Sequence, residues 1–258
     1  MYHQALSRRD FLGCVLGSSA LGAAGCTIIG GPKSRPNIVL AVMDTVRADH
    51  VAAWGYHRKT TPHLDGLLGH ATKFTRVQAP APYTLPSHAS MFTGRWPSEH
   101  GADSQRYVNE QQEPHVRELP LRGEFLTLAE RLQQAGYATG AFAANTAYLK
   151  PRFNVLQGFE TQEIEHIPGV RLVERAIPWV TAQKGPFFLF LNLMDAHRPY
   201  NLEPRPGVLE GAVPDDPELL NRLRHAALPG DKPLDPELVR QVTSQYDTGV
   251  ANADAAVG

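Results

Sequence analysis

A chain of 258 residues, 42% hydrophobic and 20% charged, has enough apolar material for one α/β domain of ordinary size. Its formal net charge of −1 excludes a bulk electrostatic pull toward nucleic acid or an anionic membrane surface. Both cysteines, Cys14 and Cys26, lie in the first 26 residues. The body of the chain therefore has no disulfide framework and no cysteine-based zinc site, which fits an oxidising compartment.

In chain order, Ser7-Arg8-Arg9-Asp10-Phe11-Leu12 is similar to a twin-arginine export signal, and a small-residue run from Gly13 to Gly25 follows it. Six glycines between Gly13 and Gly31, in a run short for a bilayer, argue against a membrane-spanning helix. Residues 1–31 are expected to be an export signal and linker, with residues 36–258 delivered to the periplasm or outer surface. Leu21-Gly22-Ala23-Ala24-Gly25-Cys26 also resembles a lipoprotein cleavage site, although Ala23 stands where that motif usually has Leu. Lipidation of Cys26, giving a lipid anchor to the membrane, and release as a soluble domain both stay open.

Asn37 to Met43 is a continuous apolar run with β-branched residues, the pattern of a strand buried on both faces, and Asp44 follows its C-terminal end. Thr61-Pro62 opens a short helix that puts Leu64, Leu67, Leu68 and Ala71 on one face. Thr127-Leu128-Ala129-Glu130 has the form of a capping box, with Gly136 as the helix stop and a strand expected over Tyr137 to Ala143. A helix from about Val170 to Gln183 leads into a third apolar strand, Phe187 to Leu193. Residues 201 to 236 carry seven prolines and many charges and read as an irregular excursion or lid. Pro236 to Gly258 is helical in pattern, and because no strand or cap follows it the sequence reads as incomplete. This alternation predicts an α/β fold: a mainly parallel central sheet with helices on both faces.

Ligands of open parallel sheets collect beyond the C-terminal strand ends. Two of the expected strands end in acids, Met43-Asp44 and Met194-Asp195, the second followed by His197. A carboxylate there serves about as often as a helix cap. Between them lies Thr84-Leu85-Pro86-Ser87-His88-Ala89-Ser90-Met91-Phe92-Thr93-Gly94-Arg95. Pro86 suits a first helical turn and Gly94 a helix end, so Thr84 falls at a helix N-terminus, where backbone N–H groups and the macrodipole favour an anion. A hydroxyl held there against a metal is a candidate nucleophile for a phosphoryl or sulfuryl centre. Taken alone, a Thr before a Pro-Ser turn is an ordinary cap.

Residues 84 to 95 resemble the sulfatase signature: Cys or Ser, any residue, Pro, Ser, Arg, three variable positions, a bulky apolar residue, then Thr-Gly-Arg. Pro36 to Leu40 through Asp44-Thr45-Val46-Arg47-Ala48-Asp49 resembles the family's opening strand and metal-binding turn. Thr61-Pro62-His63-Leu64-Asp65, Phe74-Thr75, Pro97 to Gly101, Gln157-Gly158-Phe159-Glu160 and Phe187 to Tyr200 extend the likeness. The chain is thereby identified as resembling the N-terminal part of a sulfatase-type catalytic domain. The implied fold is alkaline-phosphatase-like with its C-terminal part missing.

The resemblance implies a divalent metal ion (Ca, Mg, Mn or Zn) with Asp44 and Thr84 as ligands. It makes Thr84 the nucleophile, Arg95 the support of its loop, and His197 a contact to the sulfate or phosphate or its leaving group. The implied substrate is a small-molecule or glycan sulfate or phosphate ester. Three departures qualify this. Thr45 stands where many relatives have a second Asp, which weakens or alters the metal site. His88 replaces the usual Arg and could donate to an anion with a pH-dependent charge. No Lys-x-His pair follows the second strand, leaving Lys150 as the substrate-binding candidate. No Asp-His pair of the kind that completes the family's metal shell occurs in the sequence. Threonine cannot become formylglycine, so none is expected. Threonine here also resembles the phosphoethanolamine and phosphoglycerol transferases, the competing reading beside a non-catalytic relative or inactive fragment.

Overall fold

A computed structural model describes residues 35–200 apart from 110 and 112, then 216, 218, 219, 221 and 222, and finally 235–258. The export signal, Cys26 and nearly all of the proline-rich excursion lie outside the described residues.

The central sheet is parallel throughout. Its strands are β1 (Ile38–Met43), β4 (Ala138–Ala143), β5 (Thr161–Ile164) and β6 (Phe187–Leu193), in the spatial order β1-β6-β4-β5. Every residue of β6 is buried, and its side chains divide by parity. Phe188 and Phe190 join one core with Leu85, Ala89, Phe92 and Ala129; Phe187, Leu189, Leu191 and Leu193 join the other with Leu172, Ala176, Ala253 and Ala256. The first core is covered by α2 (Thr84–Thr93) and α4 (Leu128–Gln134), with the one-turn α3 (Pro97–His100) between them in sequence. The second is covered by α5 (Gly169–Ala182) and α6 (Pro236–Val257), so helices lie on both faces as expected.

One expectation is corrected. Strand β1 is not buried on both faces, because it is the sheet's edge among the described residues and Val39 is 56% exposed. Two features went unforeseen. Strands β2 (Asp103–Val108) and β3 (Pro114–Leu119) form an antiparallel hairpin, and β5 is a four-residue strand. Both are largely solvated on their two faces, so neither leaves the apolar alternation by which a strand is recognised.

The helix ends follow local chemistry. Thr127 accepts from Glu130 N–H while the Glu130 carboxylate accepts from Thr127 N–H at 2.7 Å, which satisfies two otherwise orphaned donors of α4. Pro178 sits inside α5 on an exposed position, where the carbonyl freed by its missing N–H belongs to a solvated turn. Gly94 ends α2 at φ 68°, a left-handed geometry that a side chain would oppose. In α6, Gly249 permits close approach, since a β-carbon there would meet the backbone of Asp195 and Ala196.

Helix α6 also ties the domain together through buried acids. Asp247, fully buried, accepts from Tyr56 Oη (2.7 Å) and Arg58 (2.9 Å) and pairs with His50 Nδ1 (2.7 Å). Asp254 accepts the His63 and Leu64 backbone N–H groups, each at 2.9 Å, and so caps α1 (Pro62–Leu67).

Candidate active site

Strand β1 delivers Asp44 to the C-terminal edge of the sheet, and the Asp44 N–H still pairs with the Leu193 carbonyl of β6 (2.9 Å). Directly opposite, α2 begins. Tyr83 is its extended N-cap residue, and Thr84 occupies the first helical position. Pro86 falls in the first turn, where its missing N–H costs nothing. The Thr84 hydroxyl donates to Asp44 Oδ2 (3.2 Å), and both side chains are 8% exposed.

Two asparagines complete the arrangement. Asn145, just beyond β4, gives its amide nitrogen to Thr84 Oγ1 (3.0 Å) and Asp44 Oδ2 (3.2 Å). Asn192, the penultimate residue of β6, gives its own to Asp44 Oδ2 (3.2 Å) and His88 Nε2 (3.3 Å). Their orientation is fixed from behind. Asn145 Oδ1 accepts the N–H groups of Ala147 (3.1 Å) and Tyr148 (3.0 Å), and Asn192 Oδ1 accepts that of Asn145 (3.1 Å). Carbonyl oxygens placed on backbone donors leave both amide NH₂ groups facing the acid and the hydroxyl. Asp44 Oδ2 thus receives three hydrogen bonds, while Oδ1 accepts none among the described residues.

Sequence reasoning missed both asparagines. A signal existed for Asn192, which is the polar residue in an otherwise apolar seven-residue strand. Register explains its place: Asn192 shares the face of Phe188 and Phe190 and lies between Val42 of β1 and Ala143 of β4. Asn145 carried no comparable mark.

His88 differs from the expected anion donor. Its ring is 4% exposed, with Nδ1 bonded to the Thr84 carbonyl (3.0 Å) and Nε2 to Asn192. A carbonyl only accepts, so Nδ1 carries the hydrogen and Nε2 takes one from the amide. Burial holds the ring's pKa below the usual histidine value against the opposing pull of Asp44. His88 is a neutral brace between α2 and β6.

Arg95 is also displaced from its expected role. It follows the C-terminal end of α2, about 15 Å of helix rise from Thr84, and is exposed with its guanidinium on Glu99 (3.3 Å). Lys150 is exposed and lies outside the cleft lining. Asp195 spends both carboxylate oxygens on the Gly169 N–H (3.1 Å each) and caps α5 rather than joining Asp44. His197 does reach the site. It lines the same cleft as Asp44, Thr84, His88 and Asn145, with Nδ1 tied to the Arg198 carbonyl (2.6 Å). The cleft encloses about 650 Å³ and is also walled by Tyr83, Tyr148, Met91 and Arg198.

The turn after Asp44 is strained. Thr45 has φ 60°, unusual for a β-branched residue. It is held by its own hydroxyl on the Asp44 carbonyl (2.7 Å) and by Tyr246 of α6, whose hydroxyl donates to the Thr45 carbonyl and accepts the Arg47 N–H, both at 2.8 Å.

The fit to a divalent cation is incomplete. Asp44 Oδ1 and Thr84 Oγ1 are suitable oxygens, but no group of three or more His, Cys, Asp or Glu that could hold a metal occurs among the described residues. The two amide NH₂ groups aimed at Asp44 Oδ2 stabilise its charge by donation and occupy positions where further oxygen ligands would be needed.

A parallel sheet with helices on both faces, carrying an acid and a hydroxyl together at its C-terminal edge, defines an α/β protein with a candidate nucleophilic site. The chain belongs to the sulfatase family, whose profile matches residues 36–258. The N-acetylgalactosamine-6-O-sulfatase of Bacteroides thetaiotaomicron is 31% identical over 111 residues, 43% of this chain and 20% of that protein. The match therefore spans about a fifth of that curated relative. Among solved structures, the phosphonate monoester hydrolase of Agrobacterium radiobacter has TM-score 0.58 at 18% identity, covering 87% of this chain and 58% of that one. The periplasmic domain of the Campylobacter jejuni phosphoethanolamine transferase has TM-score 0.60 at 16% identity, covering 87% and 62%. The C-terminal periplasmic domain of EcEptC from Escherichia coli, solved with zinc, has TM-score 0.56 at 19% identity, covering 87% and 58%. At these identities the structural likenesses show the fold. No described helix is long and apolar enough to cross a membrane.

Proposed function

We propose that this protein is an exported ester hydrolase that cleaves small-molecule or glycan sulfate or phosphate esters through the Thr84 hydroxyl. One observation carries the reading: the hydroxyl lies at the N-terminus of α2, on the floor of a cleft, between a proton acceptor and a hydrogen-bond donor. The first-turn N–H groups of α2, together with Arg198 and His197 on the wall, suit an anionic ester. Thr84 Oγ1 attacks the phosphorus or sulfur, its proton passes to Asp44 Oδ2, and the ester bond to the alcohol breaks. The alcohol leaves with the Nε2 proton of His197 in its doubly protonated form, the Nδ1 hydrogen being held on the Arg198 carbonyl. Water then attacks the threonine ester and gives a proton to His197 Nε2, the Oγ1 bond breaks, and Asp44 returns its proton to Thr84 as phosphate or sulfate departs.

A divalent cation remains part of the proposal on the strength of Asp44 Oδ1 and the zinc-bound fold neighbour. The described residues do not complete its shell, and no step above depends on it. Threonine, unlike cysteine or serine, cannot become formylglycine, so the hydroxyl itself reacts. The same threonine supports a second reading, a phosphoethanolamine- or phosphoglycerol-type transferase, in which an acceptor alcohol replaces water. Export through the twin-arginine segment, with or without lipidation of Cys26, places the reaction outside the cytoplasm.

The test is turnover of 4-nitrophenyl phosphate and sulfate by the intact protein. Thr84→Ala is expected to lose essentially all activity while keeping its fold, and Thr84→Ser to keep much of it. Full activity in Thr84→Ala would sink the assignment. Product formation that depends on added glycerol or ethanolamine would favour the transferase.

A further inference from the structure

Among the described residues, the side chain hydrogen-bonded to the proposed nucleophile, apart from the acid, is an amide. Thr84 Oγ1 has one hydrogen and is engaged by two partners: the hydrogen goes to Asp44, and the Asn145 NH₂ comes in on a lone pair at 3.0 Å. Asn145 has no freedom to do otherwise. It is 2% exposed, its carbonyl oxygen is committed to the Ala147 and Tyr148 N–H groups, and its own N–H is committed to Asn192. Rotating the amide would break two backbone hydrogen bonds and turn an oxygen toward Asp44. The donor is therefore pre-organised at the reacting oxygen, and no charge on it changes with pH.

We infer that Asn145 is a catalytic residue whose main work is in the second half of the reaction, the breakdown of the Thr84 ester. This rests on Thr84 being the nucleophile. The direction of the effect follows from where charge develops on Oγ1. In the first step Oγ1 gives electron density to phosphorus, so a donor that stabilises charge on Oγ1 does little to help and somewhat restrains attack. In the second step Oγ1 is the leaving group: water, losing a proton to His197, forms the new bond to phosphorus, the Oγ1–P bond breaks, and negative charge grows on Oγ1 until Asp44 returns its proton. A fixed N–H at 3.0 Å stabilises that charge without having to reorganise. Removing it slows breakdown more than formation, so the covalent intermediate accumulates.

Asn145→Ser tests this, because a serine hydroxyl can still serve the Ala147 and Tyr148 N–H groups in a turn but is too short to reach Thr84. Asn145→Asp is the second variant; it keeps the turn oxygen in place and puts an acceptor where the donor was. Each intact protein is acid-quenched during steady-state turnover of 4-nitrophenyl phosphate, and the peptide containing residue 84 is weighed and fragmented. Expected for both is a kcat about 100-fold lower, KM unchanged or lower, an initial burst of nitrophenol, and one phosphoryl group on Thr84 in most molecules where the wild type shows little. Wild-type turnover in both folded variants would overturn the inference, and so would slow turnover with no burst and unmodified Thr84. If Thr84→Ala is fully active and no variant carries a phosphoryl group, the nucleophile assignment has failed, and this inference falls with it. A failure of the inference alone leaves Thr84→Ala inactive.

Discussion

A histidine whose two ring nitrogens are both matched to neutral partners resists protonation, and His88 and His100 are both of this kind. His100 is fully buried; its Nδ1 accepts the Ala102 N–H (3.1 Å), so Nε2 carries the hydrogen toward Ser90 Oγ (2.9 Å). Burial depresses its pKa, with the Pro86 carbonyl and nearby acids opposing only in part. The sign follows from linkage. The unfolded chain takes up the proton near pH 6.5 and the folded chain resists until lower pH, so the stabilisation is complete above about 6.5 and is lost as pH falls toward the folded value. We expect the urea midpoint of the wild type to exceed that of His100→Gln by most above pH 6.5, with the gap narrowing toward pH 5. A gap that does not change with pH would refute this. At the site itself, Thr84 and Asp44 were legible because each sits at the end of a recognisable element. The neutral state of His88 was not, since only burial between α2 and β6 decides it.

Helix α6 is the element that holds the turn after Asp44. Tyr246 is 8% exposed and spans the turn with two hydrogen bonds, to the Thr45 carbonyl and from the Arg47 N–H. Removing its hydroxyl leaves a strained residue at φ 60° without its clamp. Tyr246→Phe keeps the ring's edge contact with His50 (4.9 Å) and is expected to cost about 1–2 kcal/mol of stability. Turnover should drop further than that loss of folded protein explains, because Asp44 precedes the released turn. Chemical denaturation and steady-state kinetics on one preparation check both, and unchanged kcat would mean that the turn holds itself. The main strands and helices could be read in advance because their periodicity is local. The hairpin Asp103–Leu119 could not, since a ribbon wetted on both faces shows no pattern.

For the whole molecule, the proposal that the protein is exported rests on the paired arginines Arg8 and Arg9. Arg8→Lys combined with Arg9→Lys is expected to retain the protein in the cytoplasm, as cell fractionation would show; undiminished periplasmic delivery of the double variant would remove the export signal from the proposal. Within the domain, the sequence by itself determined the α/β class, the parallel alternation, the ends of α2 and α4, and the two residues from which the site grows, Asp44 and Thr84. These are all local consequences of apolar spacing, capping chemistry and motif order. Only the tertiary structure decided which groups surround that pair. Asn145 and Asn192 reach Asp44 because β6 lies between β1 and β4 in register, with Asn192 opposite both Val42 and Ala143. Arg95 falls away because a straight helix separates it from Thr84, and Asp195 is diverted to Gly169 because α5 begins beside it. Distances between residues 40 to 150 positions apart depend on how the strands are ordered, and short-range pattern carries no record of that order.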